Sequence, residues 1–444
     1  MDNFLKNTFL GKKHLLGNST SPQLNDNSLN NIFEEKMNSK LTKLEKPLKL
    51  EIVAKFNKAR ATKLIIPHGE VNTPVYMPVG TKAAMKGLLS CDLERMGCKL
   101  MLSNTYHLTL EPGEEFIDTN YQGVHSYMNW NNNLLTDSGG FQMVSLAELS
   151  ERKEEGVEFV SHMDDKRKLM LTPEKSIEIQ NKLGADIIMA LDDVIKPTSD
   201  DNELKDACER TLRWIDRCIS AHQRKHDQNL FGIVQGGLDL ELRKYCTLEM
   251  IKRDLPGYAI GGLAGGEMKE DFWKVVNVCT DYLPQDKPRY LMGVGYPVDL
   301  VVCSLLGVDM FDCVFATRTA RFGTAFSKHG FLKLKAEKNK YDFTAIDPEC
   351  GCEVCLNYTR SYLYYMLQKN PRAVNLISYH NVYYLLNLMN MLRESIIKGE
   401  KDVNLFVEKF FTDQFASKKE FPLWIYEALN QAGVNTKFMG EKFC

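Results

Sequence analysis

Eight short β-type runs, with helix-type segments between most of them, constrain this chain more than any other feature. The runs are VYMPVG (75–80), KLMLSN (99–104), NLLTD (133–137), DIIMALDD (186–193), LFGIVQ (230–235), GYAIGG (257–262), RYLMGV (289–294) and VDMFDC (308–313). Segments such as TPEKSIEIQNKLG and ERTLRWIDRCISAHQRK place apolar residues at helical spacing between them. Strands joined by helices run parallel, and eight of them suggest a closed α/β barrel more than a sandwich. A doubly wound open sheet is the alternative, but no Gly-rich phosphate fingerprint follows the first run. The chain has 444 residues, of which 44% are hydrophobic, enough to bury a large core.

The ends of these runs carry the chemistry. They finish in Asn104, Asp137, Asp192, Gln235, Gly261-Gly262 and Asp312. In a parallel barrel the carboxyl ends of the strands meet around one mouth, so residues distant in sequence converge there. Taken singly, each is more simply a helix cap or a loop residue; six such endings point to a site. The last run, VDMFDCVF, sets two carboxylates into an apolar stretch and is followed at once by ATRTAR. A buried carboxylate is costly unless something pairs with it or uses it.

Net charge is −2, so the whole-chain balance does not announce a polyanion partner. Locally the picture differs. Between Thr317 and Lys340 stand Arg318, Arg321, Lys328, Lys333, Lys335, Lys338 and Lys340 against Glu337 alone, a formal +6. Beside the VDMFDC motif this reads as a phosphate-binding strip. Residues 1–48 are polar and Asn- and Lys-rich and are expected to be a disordered extension. Three lysines and one acid near its start resemble a mitochondrial presequence weakly, and the lack of Arg there argues against one. Cytoplasmic location is expected, with mitochondrial association as the alternative. The most apolar window, Tyr290 to Phe311, is broken by Pro297, Asp299 and Asp309 and does not read as a transmembrane segment.

Twelve cysteines without regular disulfide spacing point to a reducing compartment, and only three of them cluster, in Cys350-Gly351-Cys352-Glu353-Val354-Cys355. His380 follows after 24 residues. Three thiolates and an imidazole make a closed tetrahedral zinc set, which leaves no position for water and marks a structural metal.

With these pieces together the chain resembles the queuine tRNA-guanine transglycosylases, in their eukaryotic catalytic-subunit form. The resemblance runs from about Leu50 nearly to the end, through NTYHL (104–108), LLTDSGGFQMVSL (134–146), DIIMALDDV (186–194), FGIVQGG (231–237), AIGGLAGGE (259–267), YLMGVG (290–295), DMFDCVFATRTARFG (309–323) and IDPECGCEVC (346–355). It implies a (β/α)8 TIM barrel over residues 49–345, with a structural zinc-binding subdomain and C-terminal helices in 346–444. It implies that Asp312 is the nucleophile at C1′ of the wobble guanosine in tRNAs with GUN anticodons, and Asp137 the general acid/base. Asp192 and Gln235 would read the base edge, with backbone groups of Gly262 and Leu263. Phe141 and Met292 would sandwich the ring, and Ser138 would neighbour the acid/base residue. Thr317, Arg318 and Arg321 would grip the anticodon loop of the tRNA. Val194 and Gly265 stand where bacterial relatives carry Cys and Val, and the smaller Gly265 would admit queuine beside guanine. The resemblance further implies a homologous, non-catalytic accessory subunit as heterodimer partner, and no nucleotide cofactor.

Ala316 stands where the family usually has Pro, which is expected to loosen the loop before Thr317. The competing readings are the non-catalytic RNA-binding subunit of the same heterodimer, a bacterial-type enzyme using the precursor base, and a glycosidase acting on free sugars. The full set Asp137, Asp192, Asp312, Arg318 and Arg321 favours the catalytic subunit.

Overall fold

In the computed structural model, residues 47–141, 150–160, 168–370, 372–415 and 421–440 are described. The extension expected over 1–48 lies outside them except for its last two residues. The described chain opens with an antiparallel sheet, β1 (Lys49–Phe56), β2 (Ala59–Ile66) and β3 (Gly69–Thr73). The barrel follows: β4 (Val75–Met77), β5 (Leu100–Ser103) and β6 (Asn133–Thr136) come first. After β6 a small antiparallel sheet intervenes, β7 (Ser150–Arg152), β8 (Val157–Val160) and β9 (Lys168–Leu171). The barrel resumes with β10 (Ile187–Met189), β11 (Asn229–Val234), β12 (Gly257–Ile260), β13 (Arg289–Leu291) and β14 (Met310–Asp312). A hairpin, β15 (Thr324–Ser327) and β16 (Gly330–Lys333), comes last.

The eight parallel strands neighbour one another in chain order, and β14 returns to β4 with Met310 opposite Val75. The remaining seam, between β4 and β5, is made by a Val79–Leu102 bridge. There Leu102 N–H donates to Pro78 O at 2.9 Å and Gly80 N–H to Leu102 O at 2.7 Å. All eight runs read from the sequence are therefore the eight barrel strands. They were legible because strands of a parallel barrel are covered on both faces and read as continuous apolar runs.

Inward side chains of the strands, among them Met77, Leu102, Leu135, Met189, Phe231, Ile233, Tyr290 and Met310, form one buried cluster. Leu64, Ile66 and Val71 of β2 and β3 belong to the same cluster, so the N-terminal sheet closes one end of the barrel. Arg60 of β2 anchors it. Its Nε donates to Asp309 Oδ1 at 2.8 Å and its Nη2 to Oδ2 at 2.5 Å, with both residues buried.

The helices begin where the sequence supplies caps. Thr172 accepts from Lys175 N–H ahead of the helix Pro173–Leu183, which stops at Gly184 with φ +72°. Asp200 caps Asp201–Ala221 and Asp239 caps Leu240–Ile251. The segment around TRTAR, expected as a loop, is instead the helix Phe315–Arg321. Ala316 is buried, and Asn381 Nδ2, from the long helix Arg372–Lys398, donates to its carbonyl at 3.0 Å. Packing against that helix, more than a proline, holds the segment. Among the described residues no helix is long and apolar enough to cross a membrane.

Candidate active site

Strand alternation decides which side chains reach the mouth. Leu102, Leu135, Ile233, Ala259, Tyr290 and Met310 lie inside the barrel. Two residues further along stand Asn104, Asp137, Gln235, Gly261, Met292 and Asp312, the next inward positions at the carboxyl end. Asp192 arrives from the segment after β10 and accepts from Gln235 Nε2 at 2.6 Å. Asp309 sits at odd spacing from Asp312 and so faces away from the mouth, where Arg60 and the Arg289 N–H (2.7 Å) satisfy it. The two aspartates of VDMFDC therefore have separate surroundings.

Each of the two mouth carboxylates has its own donors. Asp137 accepts from Asn104 Nδ2 at 2.5 Å and from Thr105 N–H at 2.8 Å, and Thr105 Oγ1 donates to its carbonyl at 2.5 Å. Asp312 Oδ1 accepts from the Tyr290 hydroxyl at 2.5 Å and from Gly293 N–H at 2.8 Å. Burial raises the Asp312 carboxyl above its usual value, and those two donors pull it back toward the anion. Burial, then the Asp312 charge, holds the Tyr290 phenol well above its usual range, so it stays a donor. Burial also pushes Asp192 up to about 7, against the Gln235 bond and with the charges of Asp193 and Asp137 adding to the rise. Asp137 acts on both Asp192 and Tyr290, which places the three acids in one electrostatic field.

The walls are backbone and apolar surface. Gly262 has φ +66°, and a Cβ there would lie 2.2 Å from Gln235 Oε1, so only glycine fits. Neither Gly262 N–H nor Leu263 N–H makes a hydrogen bond among the described residues. Glu267 accepts from Ala264 N–H (2.7 Å) and Gly265 N–H (2.9 Å), which folds this loop back on itself. Gly265 is exposed, and a Cβ there would rest against Pro197 at 3.4 Å. Ser138 is buried, Val194, Leu263 and Met292 are half-buried, and Phe141 is 59% exposed. Arg318 and Arg321 stand exposed three residues apart on one helix directly after β14. The Thr317 hydroxyl is engaged with the Val314 carbonyl at 3.2 Å.

Beyond the mouth, Cys350, Cys352, Cys355 and His380 form a cluster that can hold a metal ion. Their sulfurs lie 3.8, 3.4 and 3.3 Å from His380 Nδ1. A tetrahedral zinc ion sets such sulfur–nitrogen edges at about 3.5 Å. His380 Nε2 faces the Phe326 carbonyl at 2.7 Å, which fixes Nε2 as the protonated nitrogen and leaves the Nδ1 lone pair for a metal.

With this geometry established, the chain matches the family model "Queuine tRNA-ribosyltransferase" over residues 55–416. The chain belongs to the queuine tRNA-ribosyltransferase family. It is 47% identical over 398 residues to the queuine tRNA-ribosyltransferase catalytic subunit of Schizosaccharomyces pombe, covering 87% of this chain and 98% of that one. To the catalytic subunit of Caenorhabditis elegans it is 46% identical, covering 88% of this chain and 100% of that one. To the queuine tRNA-ribosyltransferase of Halothermothrix orenii it is 50% identical, covering 76% and 90%.

The queuine tRNA-ribosyltransferase fold brings Asp137, Ser138, Asp192, Gln235, Gly262, Met292 and Asp312 to one mouth. Sequence reasoning missed the residues that hold them: Thr105, Tyr290 and Gly293, and for Asn104 it saw a strand end but no partner. All four lie inside the NTYHL and YLMGVG motifs, and strand parity would have aimed Tyr290 inward two residues before Met292.

Proposed function

We propose that this chain exchanges guanine for queuine at the wobble position of tRNAs with GUN anticodons, as the catalytic subunit of a transglycosylase. The observation that supports it best is the pair of differently held carboxylates at one mouth. In the first displacement an oxygen of Asp312 bonds to C1′ as the C1′–N bond breaks, and the electron pair leaves with guanine. Asp137 supplies the proton that neutralises the departing base. In the second, queuine gives a ring proton to Asp137, its nitrogen bonds to C1′, and Asp312 is released. Two displacements retain configuration, as in retaining glycoside hydrolysis.

Asp192 and Gln235 read the purine edge, the N–H groups of Gly262 and Leu263 add donors, and Phe141 and Met292 cover its faces. The missing side chain at Gly265 leaves room for the cyclopentenediol of queuine. The exposed Arg318 and Arg321 serve the anticodon loop, with Thr317 shaping their helix. The cluster of Cys350, Cys352, Cys355 and His380 carries zinc in a structural role. Pairing with a homologous non-catalytic subunit and cytoplasmic residence, with mitochondrial association as the alternative, belong to this reading as well.

The test is incubation of the purified chain, alone and with that subunit, with undermodified tRNA and labelled guanine or queuine. Labelled base enters the wobble position with wild type, whereas Asp312→Asn lowers exchange by about 10⁴-fold or more and forms no covalent RNA adduct. Absence of exchange under every condition defeats the enzyme reading.

A further inference from the structure

Arg243, on the helix Leu240–Ile251, is fully buried beneath the base pocket. Among the described residues its guanidinium has no carboxylate hydrogen-bond partner. Nη1 donates to Val234 O and to Gly261 O, and Nε donates to Gly237 O, each at 2.8 Å. Nη2 makes no hydrogen bond among the described residues. Glu267 and the thiols of Cys208, Cys246 and Cys279 act on it only at a distance. A buried guanidinium on three carbonyls, with one nitrogen idle, is expensive to keep for packing alone.

The carbonyls it grips explain the expense. Gly261 C=O and Gly262 N–H belong to one peptide unit, and across a trans peptide the two point in opposite directions. An arginine on the Gly261 oxygen therefore turns the Gly262 N–H away from itself. Among the described residues that N–H makes no hydrogen bond. The Val234 carbonyl, gripped by the same nitrogen, also accepts from Gly261 N–H at 3.1 Å, which ties the end of β11 to the end of β12. The idle Nη2 would lie 3.4 Å from a Cβ built on Gly262, so the positive charge sits immediately behind this peptide.

We propose that Arg243 is a positioning residue that presents the Gly262 N–H to the oxygen of the departing base and backs it with a fixed positive charge. The inference rests on the base-exchange reading above. When the C1′–N bond breaks, the electron pair passes into the purine, and its exocyclic carbonyl oxygen takes up negative charge. A preorganised N–H whose peptide is polarised by a buried cation stabilises that charge, as in an oxyanion hole. Arg243 does not touch the base; it acts through the peptide.

The experiment compares wild type, Arg243→Lys and Arg243→Gln in full-length protein, with the accessory subunit present. Inhibition by guanine and by 2-aminopurine, which lacks the carbonyl oxygen, is measured with single-turnover guanine release. Release should slow by about 10²-fold in Arg243→Gln, the usual cost of one lost oxyanion donor. Guanine affinity should fall at least tenfold in both variants, and 2-aminopurine affinity less than threefold. A merely structural role lowers both affinities equally, and that result, or release within twofold of wild type, overturns the proposal. If Arg243→Gln does not fold, Arg243→Lys, which keeps charge but loses the fork, decides by the same comparison. A wild type that exchanges no base defeats the base-exchange reading instead, so the two failures are distinct.

Discussion

Asp192 shows how one side chain can tune the site. It holds its proton to about pH 7 in the fold and to about pH 4 in an unfolded chain. Between those values the folded state binds more protons, so its stability falls as pH rises through this window. Asp192→Asn removes that contribution, and thermal melting of the variant between pH 5 and pH 8 should lose part of the downward trend. Activity should respond in the opposite sense. The purine edge offers a pair of N–H donors, which both oxygens of the carboxyl can accept only when it is ionised, so the KM for guanine should rise as pH falls below 7. In Asp192→Asn the KM should be raised at least tenfold and become flat over that range. The residue types at Asp137, Asp192 and Asp312 were legible because acids at strand ends are unusual. Their donors were not, since nothing local in the sequence pairs Tyr290 with Asp312.

Among the elements, the hairpin β15–β16 and the helix Arg372–Lys398 work as one unit. Asn381 accepts from Phe326 N–H at 2.9 Å and donates to Ala316 O at 3.0 Å and Thr324 O at 3.1 Å. Its neighbour His380 faces both the Phe326 carbonyl and the three sulfurs. The Cys3His cluster, which can hold a metal ion, is thus tied to the helix that presents Arg318 and Arg321. Asn381→Ala leaves three backbone groups of two segments unsatisfied, each worth about 1–3 kcal/mol, and should lower the melting temperature and weaken tRNA binding while guanine affinity changes little. Metal removal by a chelator, followed by metal analysis and the same tRNA titration, should act in the same direction. Sequence reading found the four residues of the candidate metal cluster, whose chemistry is local. It missed β1–β3, β7–β9 and the hairpin, because their strands mix charged and apolar residues and pair with neighbours instead of continuing the barrel pattern. It also took TRTAR for a loop, since a seven-residue helix is too short to be stable by itself and depends on packing.

For the molecule as a whole, the buried pair Arg60–Asp309 joins the N-terminal sheet to the last barrel strand across 249 residues. Arg60 also donates to the carbonyls of Gln285 and Lys287, both at 2.6 Å, beside β13. Removing one partner of such a pair strands a charge and costs about 3–5 kcal/mol. Arg60→Ala should therefore lower the denaturation midpoint strongly, whereas Arg60→Met with Asp309→Leu should recover much of the loss. Neither change reaches the mouth, so base exchange per folded molecule should stay within a fewfold of wild type.

The sequence by itself determined the eight strands, the acids at their ends and the cysteines and histidine of the candidate metal cluster, because strand periodicity and ligand chemistry are written in residue types and spacing. Only the tertiary structure decided that Asn104 and Thr105 hold Asp137, that Tyr290 and Gly293 hold Asp312, that Arg60 neutralises Asp309, and that Arg243 lies beneath Gly262. These pairings follow from closing the barrel, which brings strand ends together regardless of their separation along the chain. Periodicity can say that a side chain faces inward, but its partner is chosen by which strand closes beside it.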